Sequence, residues 1–352
     1  MSRALAGAGP APRWAALAAL SFALAWALQA ARLPAATLIG PMLAAIALAA
    51  SGGGLRLPNW PLAAAQGVIG CMIARALSLE VLREALKSWP LFLATALAVV
   101  AASMAMGWLL ARWRVLPGTA AIWGSSPGGA TAMALMAADY GADVRLVATM
   151  QYMRVVLVAM AASGVATLWK LPGAAVAAEP DWFPAAHWGG LAQTLGLVAL
   201  CAFAVHASRM RALAMLLPIF AATALSGAGL MRIELPPWLL AGCFVFVGWN
   251  VGLRFTRPSL AHAAGALPAI AASIVALMAF SAALAFALAR FAGLDALTAY
   301  LAASPGGLDT VAIIAANAPN VDAPFVMAMQ LARFVVVLLV GPAIAKAVAR
   351  RL

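Results

Sequence analysis

Long apolar runs separated by short polar stretches fill the chain. Trp14 to Ala31, Leu62 to Leu79, Trp89 to Ala111, Val144 to Leu168 and Leu267 to Phe291 are each long enough to cross a bilayer as a helix, since the hydrocarbon layer is about 30 Å thick and a helix rises about 1.5 Å per residue. Followed to its end, the pattern predicts six apolar elements in each half. They lie near 14–31, 34–51, 61–79, 89–111, 117–139 and 144–169, then near 187–206, 212–231, 237–255, 265–291, 295–316 and 323–348. The longest polar connection, Lys170 to His187, is too short to fold alone. The expected fold is an all-α, polytopic membrane protein with no soluble domain.

The halves are related. Displaced by about 178 residues, Pro41 falls on Pro218, Leu57-Pro58 and Trp60 on Leu235-Pro236 and Trp238, Gly70 on Gly248 and Pro90 on Pro268. Ser126-Pro127-Gly128-Gly129 falls on Ser304-Pro305-Gly306-Gly307. One inserted residue later, Asp143 meets Asp322, and Gln151 and Arg154 meet Gln330 and Arg333. Chance similarity between apolar segments does not hold Pro, Gly, Gln and Arg in register for so long. The expected organisation is a first transmembrane helix over 1–31, repeat 1 over 32–170, a linker over 171–186 and repeat 2 over 187–352. If all twelve elements cross, the repeats are parallel copies. If each Ser-Pro-Gly-Gly element re-enters and returns to its own side, each half has five crossings and the repeats are inverted. With the N-terminus inside, twelve crossings divide Lys and Arg almost evenly, whereas the re-entrant arrangement gathers most of them inside. The positive-inside rule therefore prefers inversion, with a broken but fully spanning helix left open.

Composition agrees with a bilayer. The chain is 66% hydrophobic and 9% charged, more apolar surface than a water-facing exterior can hide. Its formal charge of +12 comes from residues scattered singly over loops and termini. That suits orientation and anionic headgroups rather than nucleic acid. Cys71, Cys201 and Cys243 lie inside apolar segments without Cys-x-x-Cys spacing and are expected to pack. Arg3 and Arg13 before an apolar run imitate a signal peptide, but an uncleaved first helix is expected.

Candidate chemistry sits at the interruptions. Pro127 and Pro305 lack an N–H, and the glycine pairs Gly128-Gly129 and Gly306-Gly307 tolerate non-helical backbone. Each element should split, with a new half-helix starting near Ala130 or Leu308. Two breaks in register, flanked by Ser125, Ser126 and Thr131 in one half and by Ser304, Asp309 and Thr310 in the other, point to a transporter's solute site near the midplane. The plainer alternative is a packing kink. Asp309 within an apolar segment is a candidate for binding a coupling H+ or Na+, or a helix cap. Gln151 and Arg154, three apart on one helix face, fall about 15 Å into their segment, and Gln330 and Arg333 repeat them. Each Arg there must find a carboxylate, tie down the freed carbonyls of the broken backbone or meet an anionic ligand. Asp139, Asp143 and Arg145, mirrored by Asn317 and Asp322, read as turn and capping residues. Glu80, Arg83, Glu84 and Lys87 form a solvated face. His187, His206 and His262 are too dispersed for the clustered imidazoles of a copper oxidase.

Ser126-Pro-Gly-Gly-Ala, Gly141-Ala-Asp-Val-Arg-Leu-Val-Ala and Met150-Gln-Tyr-Met-Arg154, with Ser304-Pro-Gly-Gly-Leu-Asp and Met329-Gln-Leu-Ala-Arg333, resemble the AbrB family of bacterial membrane proteins. Members carry labels as ammonia monooxygenases or as regulators of gene expression, and the fold resembles inverted-repeat secondary transporters. The expectation is an inner-membrane secondary transporter or exporter of a small, anionic or amphipathic, solute. It would be no enzyme, use no cofactor, bind no nucleic acid, and could self-associate as a homo-oligomer. The alternative is a membrane sensor or scaffold acting indirectly on gene expression.

Overall fold

Helices begin and end where the sequence supplies caps and breakers. The computed structural model describes residues 9–31, 35–52, 55–76, 88–116, 119–126, 137, 141–168, 182–183, 187–208, 213–306, 308–318 and 321–349. Among them the first half holds α1 (Pro10–Ala30), α2 (Ala36–Ala50), α3 (Asn59–Ala76), α4 (Trp89–Arg112), α5 (Ala120–Ser125) and α6 (Val144–Leu168). The second half holds α7 (Trp188–Ser208), α8 (Leu213–Gly227), α9 (Pro237–Gly252), α10 (Arg257–Ala263), α11 (Leu267–Ala292), α12 (Ala296–Ala303), α13 (Leu308–Asn317) and α14 (Ala323–Ala349). Pro stands in the first turn of α1, α4, α9, α10 and α11, where its missing N–H costs nothing. Gly293, at φ +67°, closes α11, and the Asp295 carboxylate accepts from the N–H groups of Leu297 and Thr298 to start α12. The short α10 was not expected from the hydropathy pattern, which ran the preceding element to 255.

Five helices among the described residues are long and apolar enough to cross a membrane: α1, α4, most of α6, α7 and α11. Much of their apolar surface stays outside the protein core. Phe22, Leu200, Phe203 and Phe286 project from the middles of their helices, while Trp60, Trp89, Trp113, Trp188 and Phe291 stand exposed near helix ends. Apolar middles with aromatic ends are what hydrocarbon and its interfaces select. The chain is an all-α, polytopic membrane protein.

The helices sort into two bundles. α1, α2, α3, α7, α8 and α9 pack chiefly on one another and form a scaffold. α4, α5, α6 and α11 to α14 form a second bundle that contains both breaks. Narrower contacts join them, α3 against α13 and α14, and α6 against α2, α9 and α10. Inside the scaffold, α9 lies on α2 with backbone against backbone. A Cβ on Gly252 would stand 2.4 Å from the Met42 carbonyl oxygen, and one on Gly248 2.6 Å from that of Leu38. The Gly-x-x-x-Gly spacing gives this close approach, which drives helix association in lipid where apolar burial cannot.

Contacts between helix ends fix the chain directions. At one end of the molecule Arg257 donates to the Ala50 carbonyl, and Leu116, Ala137, Leu146 and Ala263 share one apolar cluster. At the opposite end the Asp322 N–H donates to Thr298, and Phe92 meets Phe325 edge-on. Hence α5 and α6 both start at the first end, and α12 and α14 both start at the opposite end. Each broken element therefore leaves and returns on one side. α4 and α11, at equivalent positions of the two halves, run in opposite directions.

Candidate functional site

Each break begins with a serine held ahead of a proline. Ser126 leaves α5 at φ −56°, ψ 128°, and Ser304 leaves α12 at φ −61°, ψ 138°. The proline ring disfavours helical geometry at the preceding residue and favours these extended angles. A helix ended in this way exposes its last carbonyls, at membrane depth and without water. Gln and Arg from the following long helix supply the missing donors. In the first half the Gln151 side-chain amide donates to the carbonyls of Trp123 and Ser126, both at 2.9 Å. Arg154 donates to those of Ser125 at 3.3 Å and Ser126 at 2.9 Å, and also to the Gln151 side-chain oxygen.

The second half repeats this with other atoms. Gln330 donates to the carbonyls of Leu301, Ala302 and Ser304. Arg333 donates to Ser304 and, at 2.6 Å, to Gly306. Both Gln side chains are wholly buried, and Arg154 and Arg333 are 5% exposed. The carbonyl ends of α5 and α12 carry partial negative charge, which suits a guanidinium. Tying down broken backbone is therefore what both Arg side chains do.

The second break lies against α6, the helix that ties the first. A Cβ on Gly306 would stand 3.1 Å from Val158, one turn beyond Arg154 on α6. Arg154 and Arg333 are close enough to feel each other's charge. Not every polar atom is used. Among the described residues the hydroxyls of Ser125 and Ser126, the Gln330 side-chain oxygen and the Arg333 Nε are buried with no hydrogen-bond partner. A narrow cleft of about 10 Å³ reaches this region between Met106, Gly124, Ser125, Arg154, Ile274 and Leu277. That volume holds about one water, so the cleft is closed to an organic solute in this conformation.

Of the remaining sequence candidates, Pro305 lies in the non-helical stretch after α12, and α13 starts at Leu308, as the pattern predicts. Pro127, Gly128, Gly129, Thr131 and Gly307 lie outside the described residues, as does the side chain of Asp309, whose backbone is in the first turn of α13. Asp139, Glu80, Arg83, Glu84 and Lys87 also lie outside them.

One contact was absent from the sequence expectations. Asp143 caps α6, accepting from the N–H groups of Arg145 and Leu146, and Asp322 caps α14 in the same way through Phe325. Asp143 also meets His262 of α10 at 2.6 Å. Burial pushes the Asp143 carboxyl up, but the His262 hydrogen bond, those from Leu146 and Arg145 and the imidazolium charge together pull it below the usual carboxylate range. A lowered folded pKa means stability present above the unfolded value near about 4 and lost as pH falls through the folded one. Asp143→Ala should cost about 1 kcal/mol of stability at neutral pH through the lost cap. Asp143→Asn, which still caps, should cost less and flatten the acid limb below about pH 4. Thermal denaturation in detergent between neutral and acid pH checks both.

Comparison with known proteins follows the same residues. The family model described as transition state regulatory protein AbrB matches residues 37–349. An Escherichia coli (strain K12) protein named "Putative regulator AbrB" is 45% identical over 338 residues, 96% of this chain and 97% of its own length.

Proposed function

We propose that this chain, which belongs to the AbrB family, is an inner-membrane secondary transporter that moves a small, negatively charged solute by alternating access. The observation that carries this is the pair of breaks, held by Gln151 and Arg154 and by Gln330 and Arg333, both inside one of two loosely joined bundles. Interrupted helices at equivalent positions of oppositely directed halves are how transporters of inverted design place a site at the midplane. The opposed directions of α4 and α11 support that inversion. Among the described residues, Arg13, Arg56, Arg112, Arg114, Arg145, Arg254 and Arg257 gather at one end, against Arg75, Arg232 and Arg290 at the other, which supports a cytoplasmic position for the former end. Asp309, in the first turn of α13, is our candidate for a coupling H+ or Na+.

Purified protein in liposomes should accumulate an anionic solute under an imposed proton or sodium gradient, and Asp309→Asn should abolish the gradient dependence. No movement of any solute under any gradient ends the transport proposal. Gradient-driven flux retained by Asp309→Asn ends its coupling role. The word regulator in the relative's name supports a second reading, a membrane sensor whose effect on gene expression is indirect. Gene-expression changes that persist in a variant with blocked flux would favour it.

A further inference from the structure

Ser103 in α4 and Ser281 in α11 fall on each other under the same displacement that aligns the breaks. Both are 0% exposed, and neither hydroxyl has a hydrogen-bond partner among the described residues. Other hydroxyls of these helices solve the problem locally. Ser21, Thr149, Thr194, Ser273 and Ser304 each donate to a carbonyl three or four residues earlier, the usual resort of Ser and Thr in an apolar helix. Ser103 and Ser281 have the same carbonyls within reach and do not take them.

Their location is the site. Ser103 lies one turn from Gly107, where a Cβ would stand 2.9 Å from the Ala121 carbonyl and 3.1 Å from the Ser125 side chain, so this face of α4 lies on α5 where the break begins. Ser103 precedes the cleft residue Met106 by three positions, and Ser281 follows Leu277 by four. Each serine therefore shares a helix face with a residue of the cleft, one turn along. Among the unpartnered atoms around the breaks, the hydroxyls of Ser103, Ser125, Ser126 and Ser281 can donate or accept, the Arg333 Nε only donates and the Gln330 oxygen only accepts, so charge decides between occupants. A dehydrated cation would want the carbonyls of the breaks, but Gln and Arg already hold them, and two guanidiniums repel it. An oxyanion only accepts and carries the opposite charge.

We infer that Ser103 and Ser281 are a matched pair of solute-contacting hydroxyls that, with the Arg333 Nε, receive an oxyanion group. The inference deepens the transport proposal and rests on it for what the occupant is for, though not for whether it binds. The experiment is a thermal-shift titration of the purified full chain with acetate, succinate and inorganic phosphate, using chloride and ammonium as controls. Wild-type protein should be stabilised saturably by at least one oxyanion. Ser103→Ala and Ser281→Ala should fold with an unchanged or higher midpoint before ligand, because each removes an unpaired buried hydroxyl. Each should weaken oxyanion binding by about tenfold, the worth of one charge-assisted hydrogen bond, and Ser103→Thr should restore part of it. Wild-type protein that no oxyanion shifts, or alanine variants that bind as tightly as wild type, overturn the inference. Binding that behaves as expected without flux in liposomes leaves this site standing and ends transport alone.

Discussion

Replacing Arg333 by alanine is expected to leave little well-folded protein. The guanidinium bonds the carbonyls of Ser304 and Gly306 at once. Gln330 also reaches Ser304, but among the described residues no other donor bonds Gly306. Without Arg333 that carbonyl is orphaned at membrane depth, and the space left by a 5%-exposed side chain must collapse or fill. A buried polar group left unmade costs about 1–3 kcal/mol, and hydrogen bonds to charged groups are the stronger ones. The total, about 3–5 kcal/mol with the cavity, is a large part of a typical stability of about 5–15 kcal/mol. Arg333→Lys should fall between, since an ammonium keeps the charge but lacks the planar fork that spans two carbonyls. Gln330→Glu should also destabilise, replacing an amide donor with oxygens that repel the carbonyls of Leu301 and Ala302. Monodisperse yield and thermal midpoint in detergent measure the series. An Arg333→Ala protein that purifies with the wild-type midpoint would show that the break does not need its tie.

The breaks and their ties were legible in the sequence because their physics is local. Proline disfavours helical geometry at Ser126 and Ser304, and the glycine pairs that follow loosen the backbone, whereas Pro41 and Pro218, with no such pair, stay inside helices. An Arg about 15 Å into an apolar segment needs partners whatever the fold. Sequence left open whether those partners were a ligand or backbone, since the choice depends on where the ends of α5 and α12 come to rest. The direction of each broken element was only half legible. Charge counting favoured return to the same side, and it took contacts such as Asp322 with Thr298 to place the ends. The sorting into two bundles was hidden because hydropathy reports burial in lipid or protein alike. The Gly248-x-x-x-Gly252 spacing is a readable mark of one seam, though not of its partner α2. Ser103 and Ser281 were invisible for another reason. A serine in an apolar helix ordinarily satisfies itself on its own backbone, and only the folded structure shows which hydroxyls, Ser103 and Ser281 among them, do not.

Locking the two bundles together should stop transport, while a lock inside the scaffold should not. The surface between α6 and the scaffold sets Tyr152, Val156 and Ala159 against Ile39, Met42, Val251 and Phe255. Apolar contact of this kind is non-directional, so one side can slide over the other at small cost. The α2–α9 seam is different, because backbone meets backbone at Gly248 and Gly252 and sliding would force atoms into overlap. Tyr152 and Arg254 mark the mobile surface, with the guanidinium carbon 5.6 Å from the ring centroid. Trp14 and Trp249 mark the rigid scaffold, with ring centroids also 5.6 Å apart. In a chain with the buried Cys71, Cys201 and Cys243 replaced by alanine, Tyr152→Cys with Arg254→Cys should lose flux when joined by a short thiol cross-linker and regain it when a cleavable linker is cut. Trp14→Cys with Trp249→Cys should keep its flux under the same treatment. Because the same linker and treatment are used on both pairs, with cross-linking of each verified, a difference between them reports motion rather than modification. Equal flux from the two cross-linked proteins would mean that the bundles do not move against each other, and the solute would then need a path through a static site.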